Sequence, residues 1–442
     1  MKRPCLPTKG RSVMARTAIS VDHVARVEGH GDIHLTVEDG AVTRCELAVV
    51  EPARLFEAMV RGRSYQEAAY IASRVCGICS ASHVVTDLRA VEHIFGVTPT
   101  DRTEAIRELL IYGSYLQNHA THLFVFAAPD FLGHKSVFPL ADTDPDLFEK
   151  ALGLKALGNE LCTAVGGRSI HPITAVVGGF THELSSDEYI AFAEKMEAMQ
   201  PFAVQCVDIF NSFDVPDLAT EGDMLAMVRP GSYPVCDSDT ARFIVADYEF
   251  DCQNVNDEIE EYTVDHSAAF FARAKRTGKP YLTAALARIN ASWEALSKDA
   301  RYAAAKAGLR PMELNPFRNN VAQAVEIVDA LDRCASLCRR LASNEFDGTS
   351  TPVSYEVRAG HGVGFTEAPR GSLFHELEVD ENGTVLKASI MTPTAQNVAN
   401  LEADMRLLAT DLITQGADDD TIQLRIEELV RAYDPCLSCS VH

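Results

Sequence analysis

Two Cys-x-x-Cys pairs stand near opposite ends of this 442-residue chain. The first is Cys76-Gly77-Ile78-Cys79, and the second is Cys436-Leu437-Ser438-Cys439. Four thiolates brought together would make a soft, sulfur-rich metal site. Because 360 positions separate Cys76 from Cys436, such a site requires a fold in which both ends of the chain meet. Structural zinc is the commonest occupant of two such pairs, but zinc ribbons place them a short loop apart. The neighbours also differ from those of a closed zinc site. Arg74, His83 and Asp434 bring charge and hydrogen-bond donors toward the thiolates, as a reactive metal with tuned ligands requires.

The remaining chemistry is bounded by composition. A hydrophobic content of 47% is that of a globular chain with a sizeable core. A net charge of −23 argues against nucleic acid and anionic membrane surfaces, since phosphate binding needs clustered Lys and Arg. The most apolar run, Leu123 to Ala128, is too short to span a membrane, and residues 1–20 hold no apolar signal core. Twelve cysteines in a long chain with two tight pairs indicate a reduced, cytoplasmic, metal-binding protein rather than a disulfide scaffold.

Periodicity predicts a mainly α fold, a large helical core with small antiparallel β elements at its margins. Residues 1–20 read as a flexible arm and 21–442 as one domain. Within it, 21–58 form a β-hairpin and entry segment, 59–345 the helical core, 346–398 a β/loop segment, and 399–442 the C-terminal helices and metal-ligand tail. Asp39-Gly40 and Asn382-Gly383 are hairpin turn signals. Helices are expected over 66–96, 101–127, 187–211 (capped by Ser185 or Ser186), 293–308, 318–344, 397–415 and 420–433. His119 and His122 read as packed histidines, and Cys5, Cys45, Cys162, Cys206, Cys236, Cys252, Cys334 and Cys338 mostly as small hydrophobes.

Arg74-x-Cys76-Gly77-x-Cys79-x-x-x-His83 and Asp434-Pro435-Cys436-x-x-Cys439-x-x-His442 together resemble the large subunit of the nickel–iron hydrogenases. Further motifs fall in the family's order: Arg26-Val27-Glu28-Gly29-His30, Gly166-Gly167-Arg168 with His171-Pro172 and Gly178-Gly179, and Gly362-x-Gly364 with Glu367-Ala368-Pro369-Arg370-Gly371 and His375. The resemblance implies nickel held by all four thiolates and an iron carrying one carbon monoxide and two cyanides. Cys76 and Cys436 would be terminal on nickel, and Cys79 and Cys439 would bridge to iron. It further implies that Glu28 takes the proton from Cys436, and that Arg370, after Pro369 and paired with Asp434, sits over the iron's open side. Thr394 would donate its hydroxyl to a cyanide, although Thr394-Ala395-Gln396 departs from the usual family pattern there, and His83 would donate to sulfur. Glu57, nineteen positions before Cys76, would form a magnesium (or ferrous iron) site with His442 and the carbonyl of Ile390. Because the family is cut after this terminal histidine, the chain resembles a mature form.

These implications describe the catalytic subunit of a cytoplasmic, bidirectional hydrogenase interconverting H2 with two protons and two electrons. No iron–sulfur motif is visible, so electrons require an iron–sulfur small subunit. The family adds further electron-transfer subunits of flavin/NAD(P), F420 or heterodisulfide reductase type. The competing readings are an H2 sensor, a zinc-stabilised module, and a redox-inactive scaffold like the quinone-site subunit of respiratory complex I. That last relative lacks the thiolates present here.

Overall fold

A computed structural model describes residues 16–442, so most of the expected N-terminal arm, with Cys5, lies outside the described residues. Its last residues do not form an arm: Arg16–Val21 is a strand, paired antiparallel to Gly31–Glu38. That strand in turn pairs with Ala41–Val49 across the Asp39-Gly40 turn. The three strands make one small sheet at the edge of a helical body.

The body is built on long helices. Ser80–Phe95 and Asp101–Thr121 are buried on nearly every face. Such all-round burial marks core helices rather than surface ones, and their polar side chains, Asp87, Glu92, Arg107 and His119 among them, are buried with them. Ser186–Asn211 starts where Ser185 and Glu188 form a reciprocal cap, and packs along Asn319–Ala342. The helix expected over 101–127 is α only to Thr121. It then widens into a π-helical turn, His122–Ala127, of the kind found at functional positions. His122 sits at that junction with both ring nitrogens engaged, one with Gln323 and one with the Arg431 carbonyl.

Residues 223–282 depart from the expected helical core. Six strands occur there, in a four-stranded sheet (Tyr281–Leu282, Asp223–Met227, Thr240–Phe243, Tyr248–Asp251) and a two-stranded ribbon (Ile259–Val264 with Ser267–Ala274). Every residue of Asp223–Met227 is buried, so the alternation that betrays a half-buried strand is missing. The hairpin expected at Asn382-Gly383 joins Gly371–Val379 to Val385–Met391, and a third strand, Gly360–Ala368, completes that sheet. This sheet lies against the helix Ser80–Phe95. At Gly364 the two approach so closely that a Cβ would stand 1.9 Å from the Thr86 carbonyl oxygen.

Pro393–Thr414 begins at Thr392, whose hydroxyl caps it, four positions before the expected start, because proline is suited to a first helical turn. Asp419–Ala432 ends ahead of Asp434-Pro435, where the proline cannot continue a helix. The tail then enters the interior: Cys436, Leu437, Cys439, Ser440, Val441 and His442 are all buried. No helix among the described residues is long and apolar enough to cross a membrane.

Candidate metal centre

Cys79 occupies the N-cap position of Ser80–Phe95, and its backbone N–H points at Cys76 Sγ, 3.1 Å away. Three elements hold this loop. Ser80 Oγ donates to the Gly77 carbonyl, the His171 N–H donates to Ser80 Oγ, and the His171 ring meets the Ser73 carbonyl. The glycine-rich motif therefore folds over the first cysteine pair. Arg74 does not face the thiolates as expected. Its guanidinium stacks on the Tyr70 ring and donates to the Tyr70 carbonyl.

The second pair arrives beside the first. Cys76 Sγ and Cys436 Sγ are 3.6 Å apart, and one sulfur each of Cys76, Cys436 and Cys439 lie within 4.8 Å of one another. All four cysteines share one buried cluster with Phe56, Val75, Ala368, Leu373 and Ile390. Cys436 and Cys439 are joined as a disulfide, so metal binding by this pair requires its reduced form. Arg54, which sequence reasoning passed over, ties both pairs together. It donates to the carbonyls of Val75 and Arg74 and reaches Ser438 Oγ, while its N–H meets the Val441 carbonyl.

Glu28 reaches the sulfurs from the entry segment. Its Oε2 lies 3.0 Å from Cys436 Sγ, and its Oε1 accepts from Ser438 Oγ at 2.6 Å. The backbone makes this approach possible. Leu437 N–H donates to the Glu28 carbonyl, and Gly29 takes φ +83° where a Cβ would stand 2.7 Å from Ser438 N. Only glycine is comfortable in both respects.

On the other side, Arg370 is fully buried. Its Nε donates to the Asp434 carbonyl and carboxylate (2.8 and 3.0 Å), and Nη1 lies 3.7 Å from Cys79 Sγ. Burial disfavours its charge, but Asp434 and the sulfurs outweigh that and hold it protonated. Burial likewise pushes the Asp434 carboxyl up, yet Arg370, His122, Asn118 and Gln323 together bring it below its ordinary range. Cys76 and Cys79 are perturbed in opposite directions: their mutual hydrogen bond lowers Cys76 and raises Cys79. Behind Arg370 stands Arg288, also unforeseen from sequence. Its guanidinium donates to the Ala368 and Pro369 carbonyls and pairs with Glu326 and Glu367. Thr394 Oγ1 accepts from the Cys436 N–H at 3.0 Å, leaving its own hydrogen free to donate. The expected donation of His83 to sulfur would fall to its Nε2, because the hydrogen bond seen for it joins Nδ1 to His375 Nε2 at 3.0 Å. His375, delivered by Gly371–Val379, takes that nitrogen. His119 and His122 are packed core groups as expected, His119 against Glu326.

A second polar group lies behind the cysteines. The Ile390 N–H donates to Glu57 Oε1 at 2.8 Å, and burial raises the Glu57 carboxyl. His442 is buried, with Nδ1 3.1 Å from the Cys439 carbonyl. Burial lowers its pKa to about 4, so it is neutral near pH 7, with Nε2 free as a ligand. Glu261 completes this group. Burial, with a contribution from Glu57, pushes it up to about 8, and its buried Oε1 has no partner. In the sequence it is one acid of an Ile-Glu-Glu-Tyr strand, with no signal that one face is covered.

The family described as nickel-dependent hydrogenase matches residues 54–146 and 234–442, and a HoxL-like family matches 18–51. The chain belongs to the nickel-dependent hydrogenase family. It is 36% identical over 438 residues to sulfhydrogenase 1 subunit alpha of Pyrococcus furiosus, covering 96% of this chain and 97% of that one. It is 30% identical to the NAD-reducing hydrogenase HoxS subunit beta of Cupriavidus necator, covering 96% and 94%. Its fold superposes on an NAD+-reducing [NiFe]-hydrogenase in the H2-reduced state with a TM-score of 0.85 at 26% identity, covering 96% and 99%. The chain is thus a hydrogenase catalytic subunit with the large-subunit fold, and the zinc-module and scaffold readings fall.

The residues of this hydrogenase fit a nickel–iron centre. Four cysteines share one buried cluster, and beside them Arg370 Nη2 is buried without an acceptor. An unpaired buried guanidinium N–H is costly, and a metal-bound diatomic ligand with a lone pair would satisfy it.

Proposed function

We propose that this subunit catalyses the reversible heterolytic cleavage of H2 at a nickel–iron centre held by Cys76, Cys79, Cys436 and Cys439. In this reading all four thiolates would hold the centre, Cys76 and Cys436 as ligands of nickel alone and Cys79 and Cys439 shared with an iron that would carry carbon monoxide and cyanides. When bound, the centre supplies the redox and Lewis-acid chemistry that the amino acids lack. The observation that carries the reading is Glu28 Oε2 at 3.0 Å from Cys436 Sγ.

The chain's own residues account for the proton. Cys436 Sγ holds it next to the centre, and Glu28 Oε2 receives it across a single hydrogen-bond length. Ser438, donating to Oε1, fixes the carboxylate so that its other oxygen keeps facing sulfur. Arg370, held by Asp434, places fixed positive charge and unpaired N–H groups where anionic ligands need them. Pro369 and Thr394 complete the wall, Thr394 with its free hydroxyl hydrogen. Glu57, Ile390 and His442 form a site for magnesium or ferrous iron, since carboxylate, carbonyl and neutral imidazole match such a cation, and the partnerless Glu261 Oε1 faces the same charge.

Electrons leave through an iron–sulfur small subunit, in keeping with the relatives' being named as single subunits of larger enzymes. An NAD(P)-, F420- or heterodisulfide-linked module lies beyond it. The buried free cysteines and the thiolates the centre needs suit a reducing, cytoplasmic compartment. The deciding experiment is an infrared spectrum of the enzyme from its native host with nickel analysis. Metal-bound carbon monoxide and cyanide stretches support the assignment; their absence together with absence of nickel overturns it.

A further inference from the structure

We propose a second, soft divalent-cation site of the zinc class, formed by His93, Asp239 and Cys252 at the opposite end of the helix Ser80–Phe95 from Cys79. One nitrogen, one oxygen and one sulfur of these side chains all lie within 4.8 Å of one another. Tetrahedral zinc with such ligands needs donor–donor spacings of roughly 3.3–3.8 Å, and His93 Nε2 is already 3.3 Å from Asp239 Oδ2.

The surroundings have the features of a prepared site. His93 Nδ1 lies 2.6 Å from the Val363 carbonyl and 2.8 Å from Gln253 Nε2, so the ring is anchored through that nitrogen and Nε2 is turned toward Asp239. A histidine ligand oriented through its other nitrogen by a backbone carbonyl is the usual arrangement around a metal. Asp239 is oriented the same way: Arg89 Nη2 donates to Oδ1 at 2.9 Å, leaving Oδ2 for the ion. Cys252 is completely buried and starts the short turn Cys252–Asn254. Its Sγ lies 3.7 Å from the Val363 carbonyl, and on giving up its proton to a cation it supplies the soft ligand of the set. Asp239 also lines a surface cleft of about 920 Å³, with Asp237, Glu249 and Asp251 nearby. The cleft gives a cation a route in and a water the fourth position.

The ligands join parts that the fold otherwise only packs together. His93 is near the end of Ser80–Phe95, the helix that Cys79 begins. Asp239 and Cys252 flank two strands of the 223–282 region, and Val363 belongs to Gly360–Ala368, which leads to Arg370. An ion here would pin that β region to the helix and the sheet that carry the nickel–iron pocket.

The test is elemental and X-ray absorption analysis of the purified native complex, before and after incubation with zinc salt, for wild type, Cys252→Ser and His93→Gln. The expected result is one zinc per catalytic subunit with a single sulfur in its shell, lost in both variants, while nickel content and H2-dependent dye reduction persist. Absence of zinc after incubation overturns the proposal, as does zinc unchanged in both variants. If the variants do not yield soluble complex, the wild-type shell decides. A single sulfur with nitrogen and oxygen supports the site; a shell without sulfur, or with four sulfurs, refutes it.

Discussion

Glu28→Gln isolates the proton step from the architecture around it. In the wild type Oε2 faces Cys436 Sγ at 3.0 Å, Oε1 accepts from Ser438 Oγ at 2.6 Å, and Ser438 N–H points to Oε2 at 3.3 Å. Glutamine has the same shape and can preserve both serine contacts: its Nε2 donates to Ser438 Oγ, and its Oε1 accepts from Ser438 N–H while facing sulfur. The substitution should therefore change stability by no more than about 1 kcal/mol, and metal loading should be unchanged. What is lost is the capacity to hold a proton. General acid–base catalysis contributes about 10²–10⁴-fold, equivalent to about 3–5 kcal/mol of barrier. Exchange of H2 with deuterated water, followed by mass spectrometry, should fall by that factor in a variant whose infrared bands and nickel content match wild type. Exchange within a few-fold of wild type in a fully loaded variant would refute the assignment of Glu28 to the proton path.

Asp434→Asn leaves Arg370 charged and buried without its counter-ion, a loss of about 3–5 kcal/mol that should lower the Tm of a chain this size by about 3–5 °C; calorimetry showing no change would contradict the pairing. Cys436→Ser should abolish both nickel retention and H2-dependent dye reduction, read by metal analysis and a dye assay. Gly29→Ala places a methyl group 2.7 Å from Ser438 N at φ +83°, so the tail must shift. Dye reduction should fall at least tenfold in a variant that still folds by circular dichroism. Glu108 is pushed up to about 8, by burial first and by Asp237 next. Its folded pKa exceeds the unfolded one, so this group's stabilising contribution is fully present below the ordinary glutamate pKa and is lost as pH rises from there to about 8. Glu108→Gln should stabilise by about 2–4 kcal/mol at pH 8 and by little at pH 4, checked by denaturant titration at both values.

What could be seen in the sequence, and what could not, follows from how far each signal travels. The cysteine pairs, Glu28, Arg370 and Asp434 sit inside short motifs whose spacing carries their chemistry, and the structure brings all of them to one pocket. Ser185 and both hairpin turns were legible because caps and turns are local codes. Arg54, Arg288 and Glu261 were not. Arg54 and Arg288 matter through partners in distant segments and Glu261 through burial that its strand does not announce, and each looks in sequence like an ordinary surface charge. The contact of His83 Nδ1 with His375 was hidden for the same reason, since it spans 292 positions. In the 223–282 region, Asp223–Met227 escaped because burial on both faces erases the alternation that identifies a strand.

The meeting of Cys76 with Cys436 also sets a timetable. A contact across 360 positions belongs to the non-local class that forms late, after helices and hairpins have closed locally. Until then each end offers only two thiolates, and a two-thiolate ligand set binds a soft metal far more weakly than four converging ones. Tight nickel capture is thereby coupled to completion of the tertiary structure, so that metal retention serves as an internal proofreading signal for a finished fold.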